Sequence, residues 1–84
     1  MTYRSVIDDI AAKAHEAAEK YGRFASAHEA LGVALEEWDE LRAAVHANKL
    51  GSVEAECIDL AAVCLRMAQH CRDHESAFVS RSTK

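Results

Sequence analysis

The sequence predicts an all-α protein, and three observations predict it. Its 84 residues contain no proline and only three glycines, Gly22, Gly32 and Gly51. Apolar residues make up 50% of the chain, many of them alanine, and they recur at helical spacing. Alternating β-branched runs that would argue for strands are absent. A chain this short makes one domain with a modest core. Residues 1–84 are therefore read as a single helical domain: an N-terminal helix and an antiparallel helical hairpin. Dimerisation would complete the bundle, and a tetramer built as a pair of dimers is the larger option.

The first helix is expected from about Ser5 to Tyr21. Thr2 or Ser5 can cap it, with Asp8 and Asp9 near its positive end. Val6, Ile7, Ile10, Ala14, Ala17, Ala18 and Tyr21 form its apolar side. Gly22 stops it, because a glycine just past a helix can turn left-handed without steric cost. Arg23-Phe24-Ala25 is a connector. Ser26 to Glu29 then reads as a capping box, so the second helix is expected over about Ala27 to Ala47.

On that helix Leu31, Ala34, Leu35, Trp38, Leu41 and Val45 fall within about 100° of one another. They predict the core stripe. Glu37 and Glu40 lie roughly 120° from its centre, on a second face that also holds Val33 and Ala44. A purely solvated face would not need small apolar neighbours. Gly32 costs about 1 kcal/mol inside a helix, so it either permits a close backbone approach or marks a later start.

Asn48-Lys49-Leu50-Gly51-Ser52 predicts the turn, with Gly51 ending the second helix or its extension and Ser52 capping the third. The third helix is expected from about Val53 to Asp73. It is apolar over more than half its circumference, through Cys57, Ile58, Leu60, Ala61, Ala62, Cys64, Leu65, Met67, Ala68 and Cys71. Such a helix must be covered on two sides, and one hairpin covers only one. A second subunit is the simplest cover. Residues 74–84 read as a short fourth helix or a frayed tail.

The three cysteines recur every seven residues. Two helical turns separate neighbours by about 10 Å, too far for a disulfide along one helix. The spacing fits no zinc motif. It fits small apolar residues buried on a packing seam; the other reading is a symmetric thiol pair between subunits.

The formal charge is −4 and no basic block exists, which argues against a nucleic-acid partner. No apolar stretch approaches the ~20 residues of a membrane span. With no signal-peptide core at the N-terminus, the cytoplasm is the expected location.

Seven of the 14 acidic residues lie between positions 36 and 59: Glu36, Glu37, Asp39, Glu40, Glu54, Glu56 and Asp59. On a helix, Glu37 and Glu40 share a face, as do Glu36 and Glu40, and Glu56 and Asp59. Like charges at this spacing cost a few tenths of a kcal/mol per pair. The cost rises if two such helices pack together without a cation between them. Hard divalent ions such as Mg²⁺ suit an all-carboxylate site.

Glu36-Glu37-x-x-Glu40, then 15 residues, then Glu56-x-x-Asp59 resembles the EExxE…ExxD signature of the MazG-like, all-α nucleoside triphosphate pyrophosphohydrolases. The resemblance covers about residues 24–70. It implies that Glu37, Glu40, Glu56 and Asp59 hold Mg²⁺, for which Mn²⁺ can substitute, with Glu36 assisting or orienting water. Glu36, Glu37 and Glu40 are thereby the catalytic candidates. The implied reaction hydrolyses a (deoxy)nucleoside triphosphate between its α- and β-phosphates, giving monophosphate and pyrophosphate, as in clearing of the nucleotide pool. Metal ions would neutralise triphosphate charge and activate a water, and a carboxylate can accept the proton.

Candidates for holding the phosphates are Lys20, Arg23, Lys49 and Arg66; His70, which shares the acidic face of the third helix with Arg66, is a further substrate-contact candidate with no assigned role. Phe24 or Trp38 could stack on a base, although Trp38 belongs to the core stripe. Two other readings stand beside the hydrolase. A di-iron bundle normally pairs its glutamates with Glu-x-x-His, and no such tetrad is present. A non-catalytic helical oligomerisation or regulatory module would be indifferent to divalent metal.

Overall fold

A computed structural model describes the backbone of residues 2–81 and the side chains through residue 75. Three helices follow one another, and no strand occurs among the described residues: α1 (Arg4–Tyr21), α2 (Ala27–His46) and α3 (Leu50–Arg81). α3 is the central rod. α2 and α1 each pack against it and not against each other.

The ends of α1 and α2 follow the local chemistry. The Arg4 amide donates to the Thr2 hydroxyl at 3.2 Å, so Thr2 rather than Ser5 serves the start of α1. Gly22 ends α1 with φ of 77° and donates its amide to the Ala18 carbonyl. The capping box forms. The Glu29 amide donates to Ser26 Oγ at 3.1 Å, and Glu29 Oε1 accepts from the Ala25 amide at 2.7 Å.

The turn between α2 and α3 differs from expectation. Asn48, not Gly51, takes the left-handed conformation, at φ 57°. The Asn48 amide donates to the Val45 carbonyl and the Lys49 amide to the Ala44 carbonyl. These are the paired bonds of a Schellman ending, which asparagine tolerates. α3 therefore starts at Leu50, and Gly51 and Ser52 lie inside its first turn. Its far end also differs, because α3 runs on to Arg81 as one helix where a break was expected. The last three residues lie outside the described part. Nothing approaches Gly32 closely, and no contact in the structure explains it.

The core is small. Phe24, Ala30 and Val63 form its centre, with Val33, Ala34 and Met67 against it. Ala14, Ala44 and Ala62 are also buried. α2 thus turns its Ala30–Glu37–Ala44 line toward α3. Of the stripe predicted as core, Ala34 and Leu41 are partly buried, but its larger part does not face α3: Leu31 is 50% exposed, Leu35 54%, Trp38 49% and Val45 51%. The cysteines are likewise exposed, so they form no seam within one chain. Periodicity identified an apolar face correctly, but α3 covers its neighbour instead. No helix is long and apolar enough to cross a membrane among the described residues.

Candidate functional site: an acidic group in a mixed-charge cleft

Moving the turn back to Asn48 sets the register of the acids. Glu37 stands 11 residues before Asn48 and Asp59 stands 11 after it. In an antiparallel hairpin such residues lie level. Glu40, three residues nearer the turn, is displaced along the hairpin.

Ligand oxygens of Glu37, Glu56 and Asp59 accordingly lie within 4.8 Å of one another, and all three side chains are half-buried. Glu40 borders this group, is exposed, and interacts with both Glu37 and Glu56. Glu36 is exposed and lies outside it.

The electrostatics of the group are unfavourable as it stands. Glu37 Oε2 and Glu56 Oε2 are shut off from water and have no hydrogen-bond partner. Burial pushes the Glu37 carboxyl above its ordinary 4.5, and repulsion from Glu40, Asp59 and Glu56 adds to it. Glu56 is raised by desolvation first, then by Glu40 and Asp59. One internal cation answers part of this charge, since Lys13 Nζ from α1 sits 3.5 Å from Asp59 Oδ1. Three converging carboxylates with two orphaned oxygens fit a hard divalent cation, which would accept those lone pairs without requiring protonation.

A cleft of about 550 Å³ adjoins the group. α1 contributes Lys13, Glu16, Ala17, Lys20 and Tyr21; the connector gives Arg23 and Phe24; α2 gives Glu29, Val33 and Glu37; α3 gives Asp59, Ala62, Val63 and Arg66. Four cations and four carboxylates line it, so an anion entering it would meet positive charge within reach of the acidic group. Arg66 is fixed twice. Its guanidinium lies 4.1 Å from the centre of the Phe24 ring and donates to the Gly22 carbonyl at 3.1 Å.

Several expectations need correction. Phe24 borders the cleft but is buried in the core, and Arg66 already occupies one face of its ring, the place a stacking base would take. Lys49 sits in the α2–α3 turn and His70 stacks on His74 at 4.3 Å; neither lines the cleft. Lys20, Arg23 and Arg66 do line it. Sequence reasoning missed Lys13 and Glu16. Their only signal was a place next to the apolar line of α1, and the rotation of α1 against α3 is a tertiary choice.

Comparison with protein-family models, with curated proteins and with solved structures yields no match to this chain. Fold and site define the class only this far: a small helical protein with a convergent carboxylate group at the mouth of a mixed-charge cleft.

Proposed function

We propose that the chain is a Mg²⁺-dependent nucleoside triphosphate pyrophosphohydrolase of the MazG-like type. The observation that carries the reading is the convergence of Glu37, Glu56 and Asp59 within 4.8 Å beside a cleft lined by Lys13, Lys20, Arg23 and Arg66. The signature EExxE…ExxD supports it from the sequence side.

In this reading Glu37, Glu56 and Asp59 hold the ion through the oxygens that now face one another, and Glu40 joins at the exposed edge. The cation supplies neutralisation of triphosphate charge and a lowered pKa for water. Arg66, held rigid by Phe24 and the Gly22 carbonyl, receives a phosphate oxygen. Lys20 and Arg23 take up the rest of the polyphosphate charge. Glu40 is the carboxylate nearest both the group and solvent, and it accepts the proton released from the attacking water. Glu36, one turn away on the open side, orients that water. Manganese substitutes for magnesium because its ligand preference is similar. Cleavage between α- and β-phosphates gives a nucleoside monophosphate and pyrophosphate.

The test is pyrophosphate release from a panel of normal and damaged deoxynucleoside triphosphates with Mg²⁺. Asp59→Asn should abolish turnover while far-UV circular dichroism stays helical. Absence of release across the panel, or full activity in Asp59→Asn, would sink the assignment. A non-catalytic oligomerisation module is the second reading, and the uncovered apolar stripe of α2 favours it. It expects thermal stability to be indifferent to Mg²⁺.

A further inference from the structure

The face of α3 turned away from Asp59 and Arg66 carries Cys57, Cys64 and Cys71, all exposed. Seven residues per step is two turns less about 20°, so the three thiols form one nearly straight row. Ala61 and Ala68 fill the gaps between them.

The exposed stripe of α2 adjoins this row. On each helix the uncovered apolar residues lie about a quarter turn or slightly more from the line of α2–α3 contact. Because the helices are antiparallel, both rotations lead to the same side of the hairpin. Leu31, Leu35 and Trp38 thus share one surface with the cysteine row, on the far side from the acidic group.

Leu31, Leu35 and Trp38 are each about half exposed on this surface, and large apolar side chains gathered on one uncovered face mark a contact surface. A standard interface covers about 800 Å² per partner.

We propose that the occupant of this face is a second copy of the chain, with the two α3 helices antiparallel about a two-fold axis at Cys64. Three features carry that register. The row is symmetric about its middle member, so Cys64 meets its own copy while Cys57 meets the partner's Cys71. Alanine and cysteine let the helix axes approach to the lower end of the 8–10 Å range. Glu54 and Arg72 flank the row on one side, 10 residues before and eight after Cys64. The two-fold places the Glu54 of one copy within about 3 Å of level with the Arg72 of the other, giving two crossed ion pairs. The alternative docking, α3 over the partner's α2, brings no thiol near another. The inference is independent of the hydrolase proposal, since it uses the opposite side of α3.

The experiment uses three forms of the full chain, each keeping one cysteine with the other two changed to serine. Each is treated at micromolar concentration with diamide, which takes two protons and two electrons from a thiol pair and becomes the hydrazine as the S–S bond forms. The Cys64-only form should convert mostly to a covalent dimer on non-reducing gels. The Cys57-only and Cys71-only forms should each stay uncrosslinked, yet a mixture of the two should crosslink. Failure of the Cys64-only form to crosslink overturns the register. Equal crosslinking by all three forms also overturns it, because that is collision and not docking. Sedimentation of the reduced protein at the 9.2 kDa chain mass would remove the interface altogether.

Discussion

Replacing Glu37 with glutamine should stabilise the metal-free protein and destabilise the metal-loaded one. Like charges 4.8 Å apart repel by about 1 kcal/mol in water and about 3.5 kcal/mol at an effective dielectric of 20. Glu37 is only half-buried, so the aqueous end applies. Two neighbours, Glu56 and Asp59, give roughly 2 kcal/mol, and Lys13 on Asp59 cancels part of it. The net gain of Glu37→Gln in chelator is then about 1 kcal/mol, a rise in Tm of about 4–8 °C for a domain this small. With Mg²⁺ at a hundred times its Kd, the parent gains about 2.7 kcal/mol. The variant has lost a charged ligand and should gain less than half of that. The two melting curves should therefore exchange order between chelator and Mg²⁺. Glu36→Gln, outside the group, is the control and should shift neither curve by more than about 0.5 kcal/mol. If Glu37→Gln melts at or below the parent in chelator, or if both proteins respond equally to Mg²⁺, the acids do not converge as described.

Three further outcomes are expected. Glu37 and Glu56 titrate above 4.5 in the folded chain, so the folded state binds protons more tightly than the unfolded one. Their contribution to stability is complete below that value and is lost as pH rises through the folded pKa. In chelator, the Tm advantage of Glu37→Gln over the parent should hence shrink from pH 7 toward pH 5; an advantage constant with pH contradicts the raised carboxyls. Arg66→Ala should cost about 1 kcal/mol through the lost ring contact and hydrogen bond, and should weaken nucleotide binding measured by calorimetry. Arg66→Lys should not restore either, because an ammonium cannot lie flat on Phe24. Lys13→Ala should change stability by less than about 1 kcal/mol, since the pair is partly exposed, Lys13 at 49% and Asp59 at 30%. It should also tighten Mg²⁺ several-fold by freeing Asp59; unchanged Mg²⁺ affinity would show that Lys13 does not compete for that carboxylate.

Local chemistry carried far in this chain. Gly22 and the Ser26–Glu29 box bound their helices as expected, because caps depend on residues within one turn. The acidic pairs were legible because i, i+3 spacing fixes which carboxylates share a face before any packing occurs. The turn was misread for an equally local reason. Gly51 is the commoner left-handed residue, but Asn48 sits where the last carbonyls of α2 need two donors. That shift of three residues brought Glu37 level with Asp59, where a turn centred on Gly51 would have placed Ala43.

By itself, the sequence determined that the chain is helical, where α1 and α2 begin and end, and that two acidic helices succeed one another. Helix caps and side-chain periodicity are properties of a few neighbouring residues, so they survive without knowledge of the fold. Only the tertiary structure decided which apolar face of α2 meets α3, that α1 brings Lys13 to Asp59, and that Arg66 lies on Phe24. Each of those is a choice of rotation between whole helices. Several rotations bury similar apolar area in a chain this rich in alanine, and the sequence pattern cannot rank them.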